Sequence, residues 1–508
     1  MHQRKHSRST RRSSGPDGLT RSRRRTWLAL LLFVVLVAAA VLFAAESSGI
    51  APRLLAEYIQ RRTSGHAPWI TTTGQWVSHT LWRLDRGDAL ASTQLPDWAG
   101  ARPRALARAR GAEKVVTSAN AFSAAIASAR AGDTITLAPG EYRFAGPALA
   151  VVQAGTEGAP ITVRSGEGGA ATLEFDQLIG FQVNAPYWVF ENLAIRGVCA
   201  NHDNCEHAFH IVGNAHHVVI RNNTISDFNA QIKINGEGGH FPDSGSIIDN
   251  TLTQTAVRRT ALPVTPIDLV AASHWTIEGN LITDFVKADG DETSYGAFAK
   301  GGGSDAKFLR NVVLCEHRLR GAPGRRIGLS LGGGGSAQEY CRDRRCIVEL
   351  EDGLIAGNLI AACSDDGIYV NRSSRSRIVH NTLLDTAGIE VRFPESSADV
   401  SANLVDGPLR VRDNAILDAN ENVTSSLWQL YVGWHRVRGL FAGANSLDLQ
   451  FVAAPPRTGV ALAQRDLCGR PWSTPAAMGA FEDFAACLRT RGRRDGPSQS
   501  SDNSSARD

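Results

Sequence analysis

Ile277-Glu-Gly-Asn280-Leu-Ile282 is one copy of a pattern, apolar-x-x-Asn-x-apolar, that recurs eight times between Val189 and Val405 and decides how the chain is read. Its asparagines are Asn192, Asn223, Asn250, Asn280, Asn311, Asn358, Asn381 and Asn403. The residue three before each and the residue two after it are apolar in every copy. Intervals run from 22 residues (Asn381 to Asn403) to 47 (Asn311 to Asn358). Helical repeats keep a fixed length, whereas stacked coils tolerate loops of any length between conserved bends. Asparagine suits such bends, because it accepts left-handed backbone and its amide can pair with the same amide one coil away.

Between these marks runs a second series with period 2: Gln231-Ile-Lys-Ile-Asn235, Ile267-Asp-Leu269, Gly296-Ala-Phe-Ala-Lys300, Ile327-Gly-Leu-Ser-Leu331, Gly367-Ile-Tyr-Val-Asn371 and Gly388-Ile-Glu-Val-Arg392. Alternation of this kind marks strands with one buried face. One coil of short strands cannot bury that face alone, so the coils must stack. A β-sandwich would instead need hairpin turns every 8 to 12 residues. The expected class is therefore all-β, a parallel β-helix over residues 113–487. Ser118 is placed to cap a helix bearing Phe122, Ala125, Ile126 and Ala129, closing the first coil, whose open edge would otherwise recruit other chains.

The net charge of the 508 residues is only +4, with the basic excess at the ends. Residues 1–26 hold nine Lys or Arg against Asp17 and read as a disordered cytoplasmic tail. They lack the interleaved aromatics of a nucleic-acid arm, so no nucleic-acid partner is expected. Trp27 to Ala45 carries no charge, and 19 residues of helix reach about 28 Å, enough for a transmembrane anchor. The flanking charges place the rest of the chain outside an inner membrane, in the periplasm or beyond. A cleaved signal is the competing reading, and the length of the run favours the anchor. Residues 46–112, with a helical pattern from Pro52 to Arg62, read as a membrane-proximal stalk or small pre-domain, and 488–508 as a disordered tail.

Eight cysteines in an oxidising compartment invite disulfides. Cys199 with Cys205 and Cys341 with Cys346 are credible local loops. Cys315 and Cys363 stand four and five residues after their asparagines, so stacking could join them; Cys468 and Cys487 remain.

The capping region with Gly132-Asp-Thr-Ile-Thr-Leu-Ala-Pro-Gly-Glu-Tyr142, the asparagine series, and the ending from Arg465-Asp-Leu-Cys-Gly-Arg-Pro471 to Gly479-Ala-Phe-Glu482 resemble right-handed parallel β-helix proteins of the pectin-lyase superfamily. Within it the chain is similar to polysaccharide lyase family six, the chondroitinase B and alginate lyases, over about residues 113 to 485. That resemblance implies β-elimination in a uronate polymer, with a strand lysine as base, an arginine on the following coil and calcium held by nearby acids. Lys300 stands in the lysine's place. The following strand offers Ser330 and Gly332 instead of arginine, leaving loop residues Arg318, Arg320, Arg325 or Arg326, of which Arg320 and Arg325 are the candidates taken forward. Thr293 and Tyr295 stand where the acids are expected, so a calcium site would draw on Asp289, Asp291 and Glu292 nearby.

Outward residues of the period-2 strands, Lys233, Asn235, Asp268, Phe298, Tyr369, Asn371, Glu390 and Arg392, form a polar column with aromatic faces, suited to an acidic polysaccharide. A solvated sheet face is the bland alternative. Asp365-Asp366 also fits the paired acids of a glycoside hydrolase. A uronate epimerase would share the lyase's proton abstraction, and a non-catalytic glycan-binding or envelope-scaffold protein is the alternative from another class.

Overall fold

A computed structural model describes residues 27–494 apart from 34, 37, 38, 41, 42, 45, 48, 88–94, 103–108, 110, 167–169, 334, 463 and 464. The chain divides into two compact units, Met1–Ile50 and Ala51–Asp508. The basic tail lies outside the described residues, as does part of the expected span. The described part of Trp27 to Ala45 is helical and exposed, and among the described residues no helix is long and apolar enough to cross a membrane.

In the second unit, three long parallel sheets of 12, 10 and 11 strands run side by side, and within each the strands stack in chain order. This is a right-handed parallel β-helix. One coil shows the repeat: Thr276–Glu278 enters the twelve-stranded sheet, Leu281–Thr283 the eleven-stranded sheet and Thr293–Lys300 the ten-stranded sheet. The Gly279-Asn280 bend joins the first two. The apolar position before each bend stacks through Ile220, Ile247, Ile277, Phe308, Ile355, Ile378 and Val400, and the one after it through Ile225, Leu252, Ile282, Val313, Ile360, Leu383 and Val405. All are buried. Two inward residues flanking a tight corner explain why the spacing is invariant while the loops are not.

The asparagines form a continuous hydrogen-bonded column, but their role differs from expectation. From Asn250 onward each amide oxygen accepts from the backbone N–H and the amide of the asparagine one coil earlier, as Asn280 does from Asn250 at 2.9 and 3.0 Å. The left-handed residue is the one before: Asn222, Asp249, Gly279, Arg310, Gly357, His380, Ala402 and Glu421 take positive φ, whereas Asn223, Asn250, Asn280, Asn311, Asn358, Asn381, Asn403 and Asn422 do not; Asn192 does, at +59°. The left-handed conformation of the corner falls on the residue before the asparagine, leaving the buried amide free to pair. The first copy is also out of frame. Phe190, not Val189, aligns with Ile220, so Leu193 holds the ladder position and Asn192 belongs with Asn222, whose amide it accepts at 2.6 Å. At the other end the ladder continues to Asn422, which accepts from Asn403.

Helices α1 (Pro52–Thr63) and α2 (Pro68–Arg86) lie in the same unit as the β-helix. They are fastened to it by buried charges: Arg53 pairs with Asp85 and donates to the Cys363 carbonyl at 2.7 Å, and Arg86 pairs with Asp385 at 2.9 Å and with Glu316. Arg438 and His435 complete the cluster on Asp406. Helix α3 (Ala119–Ala127) caps the first coil, with Ser118 accepting from the Ala121 N–H and Phe122 fully buried. The last described helix spans Phe484–Arg494. Four disulfides, Cys199–Cys205, Cys315–Cys363, Cys341–Cys346 and Cys468–Cys487, use every cysteine.

Candidate functional site

Strand register in the ten-stranded sheet stacks one outward column: Gln182, His210, Lys233, Asp268, Phe298, Ser330, Tyr369, Glu390 and Arg410. A second column, two residues on, holds Asn371, Arg392 and Arg412, with Lys300 opposite Val270. A plain solvated face would leave these side chains open to water. Instead Asp268, Phe298, Ser330, Tyr369, Asn371 and Glu390 are buried, and Lys233, Asn235, Lys300 and Arg392 are half-buried. The predicted substrate-binding residues therefore share one recessed face.

Lys300 lies at its centre. Its ammonium sits 4.6 Å from the centre of the Phe298 ring and makes no hydrogen bond or ion pair to a described residue. Burial pushes its pKa down, as does Lys233, against the opposing pull of Asp268 and Glu349. Lys233, by contrast, is paired to Asp268 Oδ2 at 2.8 Å, while Asp268 Oδ1 is buried without a partner. The three glycines after Lys300 make a corner. Gly301 and Gly302 have φ of +79°, and a Cβ at Gly303 would stand 2.3 Å from the Ala272 carbonyl oxygen. Glu349 Oε2 accepts the Gly301 N–H at 2.9 Å, fixing the backbone next to Lys300. The segment 335–349 walls this end of the face. Arg342 holds it by pairing with Asp243 at 2.8 Å and stacking on Phe241, and its N–H donates to the Gly301 carbonyl.

Other predicted residues lie elsewhere. Arg320 is not a groove residue: its guanidinium pairs with Asp385 at 2.7 Å in the cluster that fastens α2, close to the Trp82 ring. Arg325 opens its strand opposite Thr293, exposed, five residues before Ser330 and so roughly 17 Å along the strand from it. Neither serves as the arginine beside Lys300. The expected calcium ligands do not converge. Asp291 Oδ1 accepts from Lys287 Nζ at 2.7 Å and from the Thr293 N–H, and Asp289 is exposed. Among the described residues the one group of ligand atoms close enough to share an ion is Cys341, Cys346 and Glu349, and both sulfurs are spent in a disulfide. The residues present do not fit calcium.

Sequence reasoning missed the ends of the face. His210 bridges Gln182 and Asn235 at 3.0 and 2.8 Å, and burial pushes its pKa down. Burial also drives the neighbouring His207 down to about 3. The alternation of Ala208-Phe-His-Ile-Val212 was the available signal. At the far end Arg410 pairs with Asp366 and with Glu390 at 3.2 Å. Burial pushes Asp366 up to about 8, with Asp365 and Glu390 adding to the rise and Arg410 opposing it. Asp366 and Glu390 thus share one guanidinium, and Asp366, one of the two acids expected for hydrolysis, is tied up in that pair. A cavity of about 800 Å³ lies between α2 and the C-terminal segment, lined by Trp76 and Arg83 among others, and one of about 670 Å³ lies between residues 95–98, the β-helix residues Glu316, Arg320 and Asp385, and Asn445 and Leu447. Neither holds a column residue.

No family model and no curated protein matches the chain. Solved structures do. The pectate lyase Pel9A aligns over 71% of this chain and 90% of its own, at 14% identity and a TM-score of 0.47. An alginate lyase from Paenibacillus sp. str. FPU-7 aligns over 61% of this chain and 99% of its own, at 16% identity and a TM-score of 0.34. With the family PL6 alginate lyase AlyGC, 62% of this chain covers 51% of that protein, at 14% identity and a TM-score of 0.33.

Proposed function

We propose that the protein acts on an acidic, uronate-containing polysaccharide by β-elimination, with Lys300 as the base. One observation carries the reading: a lysine with no ion pair to a described residue, its pKa lowered by burial, stands at the centre of a recessed polar face that has aromatic rings for sugar stacking. The neutral amine takes the proton from C5 of the uronate, the electron pair forms the C4–C5 double bond, and the C4–O4 bond breaks. The resulting ammonium returns its proton to O4, so Lys300 ends the cycle neutral. Stacked strands about 4.8 Å apart give a polymer lying along the column a contact at every rung.

The same proposal places this domain outside the cytoplasm, with Trp27 to Ala45 as its anchor to an inner membrane. The anchoring rests on the uncharged run and its basic flank, the compartment on the four disulfides.

The test is the ultraviolet absorbance of the unsaturated uronate on alginate, chondroitin, hyaluronan and pectate. Lys300→Ala should abolish it with the fold intact. Lys300→Arg should fail as well, because a guanidinium does not lose its proton near neutral pH. Binding of one polymer without product from any would turn the reading to a glycan-binding protein.

A further inference from the structure

Proton removal beside a carboxylate needs two different groups: a neutral base, and a fixed positive charge where the enolate develops. A divalent cation is the expected source of that charge, but the donor set does not fit one. Asp291 is taken by Lys287, and Thr293 and Tyr295 offer no carboxylate. The acid on the preceding coil, Asp268, has its Oδ2 filled by the Lys233 ammonium.

We propose that Lys233, seated on Asp268, is a built-in cation that binds the uronate carboxylate, so that the site works without a metal and two lysines on one face divide the work. This rests on the elimination reading and names the group that reading leaves open. Three observations support it. The Lys233 side chain is 20% exposed and that of Asp268 5%, so the positive end of the pair is the one a ligand reaches. An ammonium has three N–H donors and Asp268 engages one, leaving donors for a carboxylate. Lys233 and Lys300 also lie on either side of Asp268, one rung before it and one rung after.

The groups around the pair are few. Asp268, Lys233 and Glu349 act on Lys300, and Glu206, His207 and His210 stand on the Lys233 side. Removing the Lys233 charge would leave Lys300 facing Asp268 and Glu349 alone. Its proton would then be held more tightly, and the acid limb of the rate profile would move to higher pH.

The experiment uses the full chain and two probes, oligoalginate and oligogalacturonate, with binding followed by calorimetry and cleavage by absorbance. Each is measured in excess chelator and in added calcium. Binding by wild type should be the same in both conditions. Lys233→Met should lose at least tenfold in affinity, unrestored by calcium, and any remaining cleavage should show the shifted acid limb; Lys233→Arg should keep the affinity. Thermal melting of each variant reports its fold, and the chelator comparison on wild type depends on no variant. Binding that needs calcium, Lys233→Met binding like wild type, or no binding of either probe would overturn the proposal. Lys233-dependent binding without unsaturated product would uphold the carboxylate site while the elimination reading falls.

Discussion

Replacing Asn280 by leucine probes the column of amides that runs through the β-helix. The Asn280 side chain makes four hydrogen bonds: its amide donates to Asn311 Oδ1 and the Ile247 carbonyl, both at 2.9 Å, and its oxygen accepts from the Asn250 N–H and the Asn250 amide. Both asparagines are fully buried, so no water replaces what is lost. Asn280→Leu leaves the Asn250 backbone N–H and one proton of its side-chain amide without acceptors. Orphaned buried donors cost about 1 to 3 kcal/mol each, so the substitution should destabilise by about 3 kcal/mol. Asn280→Asp should cost at least as much. It keeps the acceptor for Asn250 but sets a buried carboxylate oxygen against Asn311 Oδ1.

The internal control is Asn422, the last rung, which accepts from Asn403 at 3.0 and 2.9 Å but is half exposed. Water can take its place there, and Asn422→Leu should cost about 1 kcal/mol or less. Denaturant unfolding followed by circular dichroism measures both. Equal costs at the two positions, or no change in midpoint for Asn280→Leu, would refute the idea that the buried ladder stabilises the stack.

The buried cluster that fastens α2 should be sensitive to acid. Arg86, Arg320, Arg53 and Arg438 hold the Asp385 carboxyl far below the usual range against its burial, and Arg438 and His435 do the same for Asp406. Depressed carboxylates stabilise fully above their unfolded pKa of about 4. That stabilisation is lost as pH falls further, so the cluster's own contribution, read as the gap in melting temperature between wild type and Asp385→Asn, should be level from pH 8 to 5 and shrink below 4. Asp385→Asn should destabilise at neutral pH as well, by about 3 to 5 kcal/mol, since buried guanidinium groups lose their partner; an acid-insensitive wild type would contradict this. Cys315→Ser with Cys363→Ser opens a disulfide whose cysteines are 48 residues apart, and should cost about 4 kcal/mol against about 2 for the six-residue Cys199–Cys205 link. Urea midpoints of the two double variants should fall in that order.

Some of the candidate site could be read from local pattern, because a β-strand commits alternate residues to opposite faces. Lys233, Asp268, Phe298, Lys300, Tyr369 and Glu390 were placed on one face by period alone, and register confirms that they share it. Period gives the face and says nothing of partners. That Lys233 would be tied to Asp268 while Lys300 pairs with no described residue follows from how adjacent coils align. The surrounding walls, including the segment held by Arg342 on Asp243, decide how deep each group lies.

The sequence by itself determined the coil: an apolar residue on each side of a corner, an asparagine in it, and polar residues outward, all set by spacings of a few residues. It also marked the capping helix through Ser118 and Phe122. Only the tertiary structure decided which asparagine began the ladder, since Asn192 and Leu193 differ by one residue and the stacking of Phe190 on Ile220 chooses between them. It also took Arg320 out of the site, by pairing it with Asp385, 65 residues away in sequence. Charges have long reach and no periodicity. Their partners are set by which coils and helices meet, and that is information no local stretch of the chain contains.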